Sequence, residues 1–124
     1  MKDIGQTGEI IAADYLKELG YTILKTNYRI RTGEIDIIAK TPEKDYIVFV
    51  EVKTRKNSKY GLASEAVNIK KQQKIITTAL SYIQEEENNL KDITFRFDVI
   101  EVYKKADYFE CNHIKNAFIL ENKF

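Results

Sequence analysis

Apolar residues recur at helical spacing along the first twenty positions. Ile4, Ile11, Ala12, Tyr15, Leu16 and Leu19 fall on one stripe. Asp3 followed three residues later by Gln6 resembles a capping box, and Gly20 suits a helix end, so a helix is expected from about Ile4 to Leu19. The pattern then turns strand-like. Tyr21 to Arg31 reads as a strand that turns at Thr32-Gly33 into a second strand, Glu34 to Ala39. Tyr46 to Lys53 reads as a third, joined to the second by a short turn that holds the only proline, so these two should form a hairpin. A second helical stripe, Gln72, Ile75, Ile76, Ala79, Leu80 and Ile83, predicts a helix from about Asn68 to Glu86. Ile93 to Val102 alternates, with Ile93, Phe95, Phe97 and Val99 on one face and Thr94, Arg96 and Asp98 on the other. Ile114 to Leu120 reads as the last strand. The order αβββαββ implies an α/β fold: a mixed sheet flanked by helices, because a strand–helix–strand unit normally makes a parallel pair. The 124 residues show no internal repeat and no long linker, and are read as one domain spanning 1–124.

The second and third strands carry the candidate chemistry. Alternation puts Glu34 and Asp36 on one face of the second strand and Glu51 and Lys53 on one face of the third. Antiparallel neighbours can bring Asp36, Glu51 and Lys53 together. Hard oxygen donors of this kind suit Mg²⁺ (or Mn²⁺), with Asp36 and Glu51 as ligands and the Val52 carbonyl as a further one. Lys53 is suited to orienting an attacking water and stabilising developing negative charge. The short Glu-x-Lys pattern is not specific alone; roughly two such matches arise by chance in a chain of this composition. A second match, Glu121-Asn122-Lys123, lies in a polar tail and is discarded. The specificity comes from an apolar strand ending in Glu-Val-Lys beside a strand presenting Asp36.

Composition changes this picture in two places. The net charge is only +1, yet the stretch from Val52 to Lys74 holds seven basic residues and one acid. Arg55, Lys56, Lys59, Lys70, Lys71 and Lys74 therefore sit in sequence beside the carboxylates as phosphate-contact candidates, with Arg29 and Arg31 in a smaller group. A solvated basic face is the plainer alternative. The single cysteine, Cys111, excludes an intramolecular disulfide and fits a reducing cytosol. No secretory pattern opens the chain, and its longest wholly apolar run, Tyr46 to Val50, is far short of a membrane span. A cytoplasmic protein with no membrane association is expected. Cys111 and His113 are too few for a zinc site and read as incidental. Asp98 reads as a structural acid paired with Arg96 or a basic loop residue. Tyr28 and Tyr60 either stack on unpaired bases or pack at edges.

Asp36 followed by Glu51-Val52-Lys53 resembles the PD-(D/E)xK nuclease superfamily, with Ile35 in place of the proline. More narrowly, the chain resembles the YraN family of small bacterial proteins. The matching segments are Gly8-Glu9, Ala12, Tyr15-Leu16, Asn27-Tyr28-Arg29, Gly33 to Ile38, Val50 to Arg55, Gly61, Phe97-Asp98-Val99 and Ala117-Phe118. The chain is also similar, more distantly, to archaeal Holliday junction resolvases. These resemblances imply a restriction-endonuclease-like fold and metal-dependent hydrolysis of DNA, including a structure-selective endonuclease role in repair or recombination. They imply an acid on the first helix, here Glu9, joining the site. Glu34 either supports Asp36 or ends its strand. Gln72 either points at the site or bonds nearby backbone. A two-fold DNA junction would suit a homodimer. The alternative is a non-catalytic nucleic-acid-binding or assembly module on an inherited nuclease fold.

Overall fold

The structure, a computed structural model, describes residues 4–43, 46–55, 68–86 and 94–118, with side chains from residue 7 onward in the first segment. The elements run α1 (Ile4–Glu18), β1 (Thr22–Ile30), β2 (Gly33–Lys40), β3 (Ile47–Arg55), α2 (Ile69–Glu85), β4 (Phe95–Lys104) and β5 (Phe109–Phe118). The five strands form one sheet in the order β1-β2-β3-β4-β5. β3 and β4, the two joined through α2, pair in parallel, and every other pair is antiparallel. This is the αβββαββ mixed sheet flanked by helices that the pattern and the resemblance imply.

Each face of the sheet buries its own apolar layer. Ile47, Phe49, Phe97 and Val99 pack with Ile75, Ile76, Ala79 and Tyr82 of α2. Val48, Val50, Ile100 and Val102 pack with Ala12, Ala13 and Leu16 of α1. The central strands β3 and β4 are covered on both sides, which is why they read as near-continuous apolar runs. No helix among the described residues is long and apolar enough to cross a membrane.

The helix stripes differ in detail from the expectation. Leu19 lies beyond the end of α1 and is about half exposed. Leu80 is also exposed, and Thr78 and Tyr82 are buried in its place. The buried face of α2 is thus turned toward Thr78, where the β1–β2 turn packs. A Cβ on Gly33 would lie 2.7 Å from Thr78 Oγ1. The last strand begins five residues before the expected Ile114. Its first half has few apolar residues and is mostly exposed at the sheet edge, so alternation alone does not reveal it. Tyr28 donates a hydrogen bond to Glu85 at 3.0 Å and meets Tyr82 edge-on, which makes it a packed edge. Ile93 and Tyr60 lie outside the described residues.

His113 is not incidental. Its ring is buried, with Nε2 2.7 Å from Asp98 Oδ2 and Nδ1 3.2 Å from Tyr15 Oη. Arg96 donates to both Asp98 oxygens and to the Tyr21 hydroxyl. The β4–β5 register slips between Phe97 and Val99, and Asn116, at φ 53°, donates its backbone N–H to Asp98 Oδ1. Burial pushes the Asp98 carboxyl up, but His113, Arg96 and this N–H overcome it and hold it below the ordinary carboxylate range. The expected Arg96 pairing is present, and the network also ties α1 to the edge strand.

Gly8 sets how closely α1 approaches the sheet. A Cβ there would collide with the Thr54 hydroxyl on β3. Gly8→Ala is therefore expected to cost about 1–3 kcal/mol through overpacking, since a buried helix–strand contact has little room to relax. Urea denaturation of the variant against wild type measures this, and unchanged stability would show that α1 does not need that approach.

Candidate functional site

The antiparallel ladder between β2 and β3 runs from Lys40 opposite Ile47 to Ile37 opposite Val50 and ends there. Asp36 and Glu51 are the next residues on each strand. Apolar alternation along β2 also slips at this point. Ile35 and Ile38 join the layer under α2, whereas Ile37 and Ala39 join the layer under α1. Asp36 thus sits where the strand twists out of regular pairing. Its Oδ2 accepts the Val52 backbone N–H at 2.8 Å.

Asp36 and Glu51 are both buried, at 6% and 5% exposure. Their carboxyl groups lie within hydrogen-bond reach of each other. Burial, the hydrogen bond to Glu51 and the charge of Glu51 raise the Asp36 pKa from 3.8 to about 8, and Glu9 adds to the rise through its charge. Two cations answer the pair. Lys53 Nζ is 3.6 Å and Lys71 Nζ 2.5 Å from Glu51 Oε2. Burial and the neighbouring Lys71 lower the Lys53 pKa against the pull of Glu51. Burial lowers Lys71 too, but its bonds to Glu51 and Lys53 outweigh this and leave it raised.

The strands and both helices converge here for local reasons. Glu51 and Lys53 continue the alternation of Ile47 and Phe49, which places them on the α2 face. Asn68 caps α2 by accepting the Lys71 N–H at 2.9 Å, which fixes the first turn that carries Lys71. Glu9 follows Gly8, the residue that lets α1 approach β3, and comes within electrostatic reach of Asp36.

Other site candidates are placed elsewhere. Glu34 is exposed and pairs with Arg29 at 2.7 Å on the β1–β2 hairpin. Arg31 lies exposed in the hairpin turn. Gln72 is half-buried in the first turn of α2, next to Lys71. The Arg55 guanidinium faces Glu101, with Nε 3.6 Å from Oε2. Lys56 and Lys59 lie outside the described residues. Lys70, Lys71 and Lys74, with Gly33, Glu34, Asn68 and Ile75, line a surface cavity of about 400 Å³ beside Glu51.

Two residues of this neighbourhood escape sequence reasoning. Lys71, a phosphate-contact candidate by sequence, reaches the carboxylates instead. The signal was its place four residues before Ile75, which sets it on the buried stripe. Glu101 is fully buried beside Lys53 in the β3–β4 register, with Tyr103 and Asn112 donating to its Oε1. Its signal was parity: it follows Phe97 and Val99 on the apolar face of β4, within the run Val99 to Val102.

The donor set fits a divalent cation. Asp36 and Glu51 offer hard carboxylate oxygens, and their mutual repulsion in a buried setting is what such an ion relieves. Among the described residues, no group of three or more His, Cys, Asp or Glu side chains forms a metal cage. One or two carboxylates completed by water is the ordinary arrangement for Mg²⁺.

Residues 8–102 match the family described as "Uncharacterised protein family UPF0102". The chain belongs to the UPF0102 family. This is the YraN-like family that its motifs resemble. A UPF0102 protein of Clostridium botulinum (strain 657 / Type Ba4) is 53% identical over 119 residues, covering 94% of each chain. One from Caldanaerobacter subterraneus subsp. tengcongensis is 50% identical over 120 residues, covering 94% of this chain and 95% of its own. The matched UPF0102 region takes in Glu9, Asp36, Glu51, Lys53 and Lys71. Among solved structures, that of Pyrococcus furiosus SfsA in complex with Ca²⁺ aligns over 88% of this chain and 60% of its own. The identity is 12% and the TM-score 0.34, a likeness too distant to carry an argument.

The raised Asp36 pKa links stability to pH. Its proton is bound more tightly in the folded chain, so this stabilisation is full below about pH 4 and is lost as pH rises toward 8. In EDTA, Asp36→Asn should remove that slope and raise Tm at pH 8 relative to wild type, with little difference at pH 4. Parallel thermal melts at both pH values check this; equal shifts at both would mean that Asp36 does not carry the linkage.

Proposed function

We propose that this UPF0102 protein is a cytoplasmic, metal-dependent nuclease that hydrolyses DNA phosphodiesters. The observation that carries the reading is the buried meeting of Asp36 and Glu51 at the end of the β2–β3 ladder, with Lys53 on the same surface. Surface ion pairs need no such burial, and burying two like charges together opposes folding unless a cation offsets it. Lys53 and Lys71 offset part of that charge from within the chain, and a divalent ion between the two carboxylates would offset the rest.

Asp36 and Glu51 would hold Mg²⁺ or Mn²⁺, with the Val52 carbonyl as a further donor. The ion supplies positive charge against the transition state and polarises water. The Asp36 carboxylate is held by the Val52 N–H, so its orientation is fixed before any ligand arrives. Lys53, held beside Glu51, places an ammonium where it can orient the attacking water and offset charge on the phosphoryl oxygens. Burial and the neighbouring Lys71 lower its pKa and ease loss of a proton, while Glu51 pulls the other way by stabilising the ammonium. The lysine-lined cavity beside Glu51 supplies contacts for the flanking phosphates. Glu9 adds negative charge near Asp36 and strengthens the attraction for a cation.

Labelled duplex, single-stranded, flap and four-way-junction DNA, each with Mg²⁺, Mn²⁺ or EDTA, tests the reading. Cleavage should require a divalent ion and fall by about a hundredfold or more in Asp36→Ala and Lys53→Ala. Salt-sensitive DNA binding without cleavage, unchanged by either substitution, would replace the nuclease with a non-catalytic binding module.

A further inference from the structure

Lys71 stands in an unusual place for a lysine on a surface helix. Its Nζ is 2.5 Å from Glu51 Oε2, closer than Lys53 at 3.6 Å. Glu51 is 5% exposed at its side chain, whereas the Lys71 side chain is 45% exposed. One partner is fixed in the sheet and the other can swing into solvent. The backbone of Lys71 is pinned by the Asn68 cap, so only its side chain is free to move. The cavity it would swing into is the one it lines with Lys70 and Lys74.

We propose that Lys71 is a displaceable counter-ion that occupies the cation's place on Glu51 and leaves it when a divalent ion binds. This rests on the nuclease reading and deepens it. The ammonium shares with Lys53 the neutralisation of a buried carboxylate. A divalent ion approaching the Asp36–Glu51 pair must first take Glu51 Oε2 from it. Once released, the ammonium reaches the adjacent cavity, where a phosphate oxygen of the nucleic acid takes over as its partner. One ammonium cannot serve both acceptors. Substrate phosphate in the cavity therefore favours release of Glu51, and by reciprocity a bound ion favours phosphate binding. Lys71 is in these terms a positioning residue that couples two binding events, and its role appears in binding before any bond is broken.

Calorimetric titration with MgCl₂ or MnCl₂, without nucleic acid, tests this on the full chain. Lys71→Met should bind the ion about tenfold more tightly than wild type, the equivalent of one charged hydrogen bond no longer displaced. Lys71→Gln serves as a second variant if thermal melting shows that the methionine variant is unfolded. Lys74→Met removes the same charge from the same cavity without touching Glu51 and should change ion affinity much less. Lys71→Arg keeps the charge and should stay near wild type. Ion affinity in folded Lys71→Met or Lys71→Gln equal to or weaker than wild type, or matched by Lys74→Met, overturns the proposal and leaves the nuclease reading standing. No ion binding in wild type or any variant overturns both.

Discussion

Two carboxylates that meet below the surface impose the governing constraint. Asp36 and Glu51 cannot both be charged there without compensation, and most of the surrounding architecture supplies it. Lys53 comes from the same strand as Glu51, Lys71 from the helix above, and the Val52 N–H from the backbone between them. Regular β pairing ends at this point, at Ile37 opposite Val50, one residue short of the two acids. The parallel β3–β4 pair serves the same site. Reaching it requires a long crossover, and α2 in that crossover delivers its first turn to the open end of the hairpin.

The second buried acid shows the opposite solution. Asp98 sits as deeply as Glu51 but is surrounded by dedicated donors: Arg96, His113 and the Asn116 N–H on its carboxylate, with Tyr15 and Tyr21 behind them. Its charge is fully answered by the chain itself, so its role is to fasten α1, β4 and β5 together. Asp36 has one backbone donor, and its carboxyl shares a proton-sized space with another acid. The contrast between a satisfied acid and an under-satisfied one separates fastening from chemistry within a single sheet.

Much of this was legible from the chain. Strand boundaries around Asp36 and Glu51 follow from apolar alternation ended by turn residues, and the parallel pair follows from the intervening helix. The long-range partners were not. The approach of Lys71 to Glu51 depends on how α2 is rotated, and Thr78 and Tyr82 are buried on its inner face where Leu80 looks stronger. His113 lies on an edge strand whose first half lacks a clear apolar rhythm, so its buried bond to Asp98 left no local trace. The place of Glu101 on the apolar face of β4 follows from alternation with Phe97 and Val99, but its partners Asn112 and Arg55 depend on how the neighbouring strands lie. In each case the missing information is which faces meet, a property of tertiary packing.

Position 8 shows what this means for reading relatives. The contact that brings α1 against β3 is made by a residue with no side chain, directly before the acid that approaches Asp36. A chain could keep every acid and lysine discussed above and still hold them apart, if a larger residue at that one place acted as a shim. An inventory of chemical groups would score such a chain as complete. The spacing between the groups is written in a residue that has no chemistry of its own.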